Sequence, residues 1–259
     1  MSARSQLERL CMNTTVISGP AALIQGFSLI RRPELRRYVL IPMLINIVLF
    51  AFISWLALSQ VAELVAWLLP SWLAWLSWLL IPVLYVATLL IAFVAVMLLA
   101  NIVAAPFNAI LSLRVEQLLT GQAIKSGSLG QTLRATPALI ASELRKILYF
   151  LLRAIPLLSL FIIPGINVIA PFTWFLFGAW FMSIEYMDYP MGNHGIGFAA
   201  QRDHLRQHRL QSLGFGGLTL ALTMIPLLNF VVIPTAVAGA TVLWVGSGSN
   251  HTDRSEGAE

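Results

Sequence analysis

The residues best suited to chemistry lie between positions 31 and 37. Arg31, Arg32, Arg36 and Arg37 crowd around Pro33, and an uncharged apolar run begins at Tyr38. Proline favours the first turn of a helix, because it fixes φ and lacks an N–H that would be unpaired there. The spacing therefore predicts a helix starting near Pro33. The free N–H groups of that turn, the positive end of the helix dipole and four guanidinium forks together suit an oxyanion. The same arginines also suit a plainer task, holding the cytoplasmic end of a membrane helix. Glu34 lies where an anion would lie and competes for the same donors.

A second polar set interrupts an otherwise apolar stretch. Asn101, Asn108, Ser112 and Glu116 are spaced seven, four and four residues apart, which puts them on one helix face. Polar side chains at membrane depth usually face a bundle interior or a water path. With Arg114 beside them, these residues predict a permeation path; the competing reading is hydrogen bonding between helices. His204 and His208 are four apart, but no adjacent cysteine or second acidic ligand accompanies them, so no metal site is expected. The segment EYMDYPMGNH, Glu185 to His194, reads as turn chemistry. There is no Walker A loop, GxGxxG, HExxH or nucleophile with its base, so neither ATP coupling, nor a cofactor, nor an enzyme is expected.

The elements that must position these residues belong to a membrane. The chain is 58% hydrophobic and 10% charged, where a soluble domain carries about 25% charged residues. This predicts an all-α integral membrane protein. The polar stretch Met1 to Asn13 does not read as a removable leader, and the single cysteine, Cys11, excludes an intrachain disulfide. Residues 38–62 have the length for one crossing, which needs about 20 residues. Residues 79–113 exceed it, so their helix should protrude or break, with Pro106 the expected break. Between them, 63–78 holds Trp67, Trp72, Trp75 and Trp78 and no Lys or Arg. It reads as an interfacial turn or short helix broken at Pro70.

Residues 147–182 and 215–245 are each too long for one crossing. Split at their prolines, their halves of roughly 15–17 residues are short for a full span, which predicts two re-entrant hairpins. The frame IPLLxxxxIP occurs in both, at Ile155 to Pro164 and Ile225 to Pro234, as if one structural device were used twice. The fold class expected is thus two long transmembrane helices plus two half-membrane helical hairpins, with cytoplasmic helical extensions. Fifteen of the 16 Lys and Arg residues then fall in segments on one side, and Arg153 lies in a hairpin that opens to it, the cytoplasm by the positive-inside rule. That side comprises 1–37, 114–146, 183–214 and 246–259, and 63–78 is periplasmic. The net charge of +5 reflects this topology rather than nucleic-acid binding. Arg202, Arg206 and Arg209 read as a basic face toward lipid phosphates or solvent.

Five segments in order, PELRRYVLIPMLIN, NIVAAPFNAIL through LTG, IPGINVIAPFTWFLFGAW, DYPMGNH and TMIPLLN through GATVLWV, span Pro33 to Val245. Together they resemble the CysZ-type sulfate permeases of bacterial inner membranes. The resemblance implies sulfate uptake for assimilation into cysteine, a homo-oligomer, and the two-helix, two-hairpin fold. It also implies a sulfate-binding motif, Gly-Leu-Arg and a further Arg, falling on Glu34, Leu35, Arg36 and Arg37. Leu35, Arg36 and Arg37 match, whereas Glu34 replaces the glycine. That substitution implies a weaker site, one gated by Glu34 protonation, or one displaced toward Arg31 and Arg32. An acidic position of the family falls on Leu113 here, while Glu116 is kept. A second function class is a non-transporting scaffold whose basic face holds anionic lipid or a cytoplasmic partner.

Overall fold

The computed structural model describes residues 17–122, 129–225 and 228–256; within its helices, the side chains of Asn101, of 129–143, of 249–256 and of a few others lie outside that description. Every described element is helical: α1 Gly19–Ile30, α2 Pro33–Ser59, α3 Val61–Leu68, a 3-10 helix Ser71–Leu76, α4 Ser77–Thr120, α5 Leu129–Ser159, α6 Ala170–Asn193, α7 Phe198–Gln207, α8 Arg209–Thr223 and α9 Asn229–Glu256. Helix starts follow local chemistry. Ser18 caps α1 by accepting from the Ala21 N–H at 3.4 Å, and Pro33 opens α2. Stops are set by glycines in the left-handed region: Gly121 (φ 69°) follows α4 and Gly195 (φ 72°) follows α6.

The chain divides into two compact units, Arg36–Asn108 on one hand and Met1–Leu35 with Ala109–Glu259 on the other. The unit 36–108 has an inside-out look. Its α2 and α4 carry Leu44, Val48, Trp55, Val86, Leu90 and Ile91 exposed. Phe50 meets Phe93 edge to face at 6.4 Å, linking the two helices. Trp67, Trp72, Trp75 and Trp78 are between 65% and 82% exposed, an aromatic rim suited to headgroup level. Pro33–Trp67 and Ser71–Met97 are long and apolar enough to cross a membrane, and only 11% of the most apolar 18 residues of each are buried. Surfaces this apolar and this bare are built for lipid rather than water.

The other unit is a helical bundle in which α1 packs on α8 and α9, and α6 packs on α8 and α9. Glycine permits the close approach. A Cβ on Gly239 would come within 2.9 Å of the Ala22 carbonyl oxygen, and one on Gly216 would strike the Ala179 carbonyl. Small residues that let helix backbones touch are the usual device for packing helices in lipid. Leu23, Ile184, Leu205 and Phe215 fill the core between these contacts. The segment Asn229–Gly248, within α9, is also long and apolar enough to span, and 61% of its most apolar 18 residues are buried in the protein.

Three local expectations are corrected. Pro106 does not break its helix: α4 runs unbroken for 44 residues through Pro82 and Pro106, roughly 66 Å at 1.5 Å per residue, which is longer than one crossing needs. The segment from Glu185 is not a turn. It is the end of α6, with Pro190 inside the helix. Tyr186, Met187, Pro190 and Met191 are buried there at helical spacing, so burial overrides the Pro and Gly signals. The two IPLLxxxxIP frames are not equivalent. Pro156 lies inside α5 and the following loop, 160–169, holds Pro164 and Gly165. In the other copy the helix stops at Thr223, and Pro234 lies inside α9.

Candidate functional site

The arginine cluster is placed by the junction of α1 and α2. Arg31 and Arg32 form the turn between the helices, and the Leu35 N–H bonds the Arg32 carbonyl at 3.0 Å. Leu35 is 1% exposed and anchors this first turn. Arg31, Glu34, Arg36 and Arg37 are exposed and Arg32 is half-buried. The Arg31 guanidinium lies 5.6 Å from the Phe27 ring centroid and that of Arg37 lies 4.9 Å from Tyr38. Among the described residues the Glu34 carboxylate forms no ion pair with any of them. Arg31, Arg32, Glu34 and Leu35 belong to the bundle unit, while Arg36 and Arg37 open the other.

The polar face of α4 is buried as its spacing implies. Asn108, Ser112 and Glu116 are 6%, 0% and 6% exposed; the Asn101 side chain lies outside the described residues. Each partner found is remote in sequence. Ser112 Oγ shares a 2.9 Å hydrogen bond with Thr241 Oγ1 on α9. Glu116 Oε1 lies 2.7 Å from His194 Nε2 at the end of α6, while its Oε2 is buried with no partner among the described residues. Asn193 Nδ2 donates to the Ala109 carbonyl at 3.1 Å. The last turns of α4 are thereby tied to α6 and α9. Arg114 is exposed and donates to Gln117 Oε1 at 3.0 Å, off this buried face.

A second buried polar group has no counterpart among the sequence expectations. Lys146 on α5 is 4% exposed and pairs with Asp188 Oδ2 on α6 at 2.9 Å. Gln201 on α7 donates to Asp188 Oδ1 at 2.6 Å and to the Ile196 carbonyl at 2.9 Å. Lys146 reads in sequence as one more topology charge and Asp188 as a turn residue. Only the helical course of 185–193 brings them together. His204 and His208 sit 5.0 Å apart between ring centroids, and His204 and His194 flank Trp244, each at 5.7 Å. No group of three or more metal-ligating side chains forms among the described residues.

Long bare apolar helices in one unit, glycine-packed helices in the other and polar pairs buried within the bundle define an all-α integral membrane protein. Residues 22–234 match the family described as sulfate transporter CysZ/etoposide-induced protein 2.4. The chain is 42% identical over 238 residues to the sulfate transporter CysZ of Pseudomonas fluorescens, covering 90% of this chain and 95% of that one. It is 40% identical over 232 residues to the sulfate transporter CysZ of Pectobacterium atrosepticum, covering 88% and 84%. It is 42% identical over 233 residues to the sulfate transporter CysZ of Pseudomonas aeruginosa, covering 88% and 95%. The chain belongs to the CysZ sulfate transporter family.

Proposed function

We propose that this protein moves sulfate across the bacterial inner membrane for assimilation into cysteine. The observation that carries the proposal is the exposed pair Arg36 and Arg37 on the first turn of α2, in a chain whose relatives are sulfate transporters over most of its length. Guanidinium forks at the positive end of a helix dipole suit a tetrahedral dianion. Leu35 packs inward and so sets the direction in which its neighbours project. Arg31 and Arg32 enlarge the positive field at the same mouth. Asn101, Asn108, Ser112 and Glu116 line the route in this proposal, and Arg114 lies at its cytoplasmic end. No catalytic step and no cofactor is part of the proposal. Purified protein reconstituted with trapped-volume controls should admit radiolabelled sulfate well above protein-free vesicles. Equal uptake in both would remove the transport reading and favour the scaffold.

The membrane disposition is part of the same proposal. α2 and the first part of α4 cross the bilayer, the tryptophan-rich 63–78 faces the periplasm, and 147–182 and 215–245 enter and leave on the cytoplasmic side. Both termini are then cytoplasmic, and copies of the chain assemble into a homo-oligomer. The non-helical backbone of 160–169 at depth is compatible with this only where protein or a wet cavity covers it. A single cysteine introduced at Arg206 should react with an impermeant maleimide only after the membrane is opened. Labelling from the periplasm in intact cells would overturn the hairpin arrangement.

A further inference from the structure

Arg145, Tyr149 and Arg153 recur every four residues on α5, and Phe198 and Arg202 lie on α7. Arg145, Tyr149, Phe198 and Arg202, with Leu148 and Leu152, line an open cavity of about 290 Å³. Its floor is aromatic and rigid. Tyr149 and Phe198 are 8% and 7% exposed and meet edge to face at 5.4 Å. The Trp180 indole N–H donates to the Tyr149 hydroxyl at 3.0 Å and fixes the ring.

Positive charge converges on this floor. The Arg153 guanidinium stands 3.7 Å from the Tyr149 centroid, and that of Arg202 stands 5.6 Å from Tyr149 and 5.8 Å from Phe198. Among the described residues none of Arg145, Arg153 and Arg202 forms an ion pair, whereas Asp188 pairs with Lys146 and Asp203 with Arg206. Arg202 Nε is buried without a hydrogen-bond partner. A buried donor with no acceptor is destabilising, and cation–π contact offsets only part of the repulsion among like charges. Arg145 and Arg202 thus give the cavity a positive lining that favours an anion. Its outer edge continues into Leu144, Leu148, Leu152 and Ile155, which are 64%, 54%, 61% and 63% exposed along α5.

We propose that the cavity holds the phosphate of an anionic phospholipid, with its acyl chains along the leucine strip. The phosphate would accept from the guanidinium N–H groups of Arg145 and Arg202. Arg153, rooted one turn deeper, already folds back over Tyr149 toward headgroup level, as arginines at membrane edges do. The apolar walls select a lipid over a free phosphate, which would leave the strip bare. The proposal rests on the apolar part of α5 being membrane-embedded, but it shares no residue with the sulfate reading. Its failure would leave that reading standing, and the reverse holds too.

Native mass spectrometry of the detergent-purified full chain, titrated with phosphatidylglycerol or phosphatidylcholine, tests it. Phosphatidylglycerol adducts should persist and phosphatidylcholine adducts should not. Arg145→Gln with Arg202→Gln should lower phosphatidylglycerol occupancy roughly fivefold for each arginine removed. Arg145→Gln alone, at an exposed position, gives the same test should the double variant fold poorly. Equal retention of the two lipids, or undiminished phosphatidylglycerol in both variants, would overturn the proposal. Inorganic phosphate displacing the lipid at comparable concentration would reassign the cavity to a free anion and equally end the lipid reading.

Discussion

Arg36→Ala combined with Arg37→Ala should abolish radiolabelled sulfate flux into proteoliposomes while leaving the protein folded. Hydrogen bonds to charged groups contribute about 1.5–3 kcal/mol each. Losing both guanidinium groups should therefore weaken recruitment of the dianion at least ~100-fold. Both side chains are exposed. Substitutions at such surface positions change stability by about 0.5 kcal/mol or less. Flux should fall with no change in elution profile or circular dichroism. Undiminished flux in the double variant discards these two residues as the sulfate site, even if the protein transports sulfate by another route. The Arg36→Lys, Arg37→Lys variant separates charge from geometry, since lysine keeps the charge but loses the planar fork.

The largest effect on stability is expected at Asp188. This carboxylate joins three helices, through Lys146 of α5 at 2.9 Å and Gln201 of α7 at 2.6 Å, while itself on α6. Asp188→Ala leaves the ammonium of Lys146, 4% exposed, without its carboxylate. Breaking a buried pair from one side costs about 3–5 kcal/mol, and the lower figure applies because the Asp188 side chain is 31% exposed. Thermal unfolding in detergent should fall by roughly 6–12 °C. Lys146→Met with Asp188→Leu should recover most of that loss, since well-packed apolar replacements for a buried pair are often neutral or better. A midpoint unchanged in Asp188→Ala would mean that Lys146 does not depend on Asp188 and that the tie between the helices adds no stability.

The features legible in sequence are those set by local chemistry or by composition. Pro33 marks a helix start, Gly121 marks a stop, and the scarcity of charge marks a membrane protein. The Asn108, Ser112, Glu116 face is legible because helical spacing alone puts these residues together. What escaped was decided by tertiary contact. Pro82, Pro106 and Pro190 are tolerated inside helices, although each removes a backbone hydrogen bond. The pairing of Glu116 with His194 joins residues 78 apart in the chain, and that of Lys146 with Asp188 joins residues 42 apart. No periodicity announces either. The repeated IPLLxxxxIP frame misled for the same reason: the six shared residues are identical, but the surrounding bundle chose a different loop position in each copy.

The packing of α1 against α8 and α9 also sets an order of events during synthesis. Gln211 on α8 bonds the Ile17 carbonyl just before α1, across 194 residues of chain, and Gly26 lies on Gly239. At about 5–20 residues per second, the ribosome needs on the order of 10–40 s to make the cover for a helix it has already released. Until then the apolar face of α1 must be sheltered by the membrane surface or a chaperone, and any truncation that removes α9 leaves the Gly26 side of α1 uncovered.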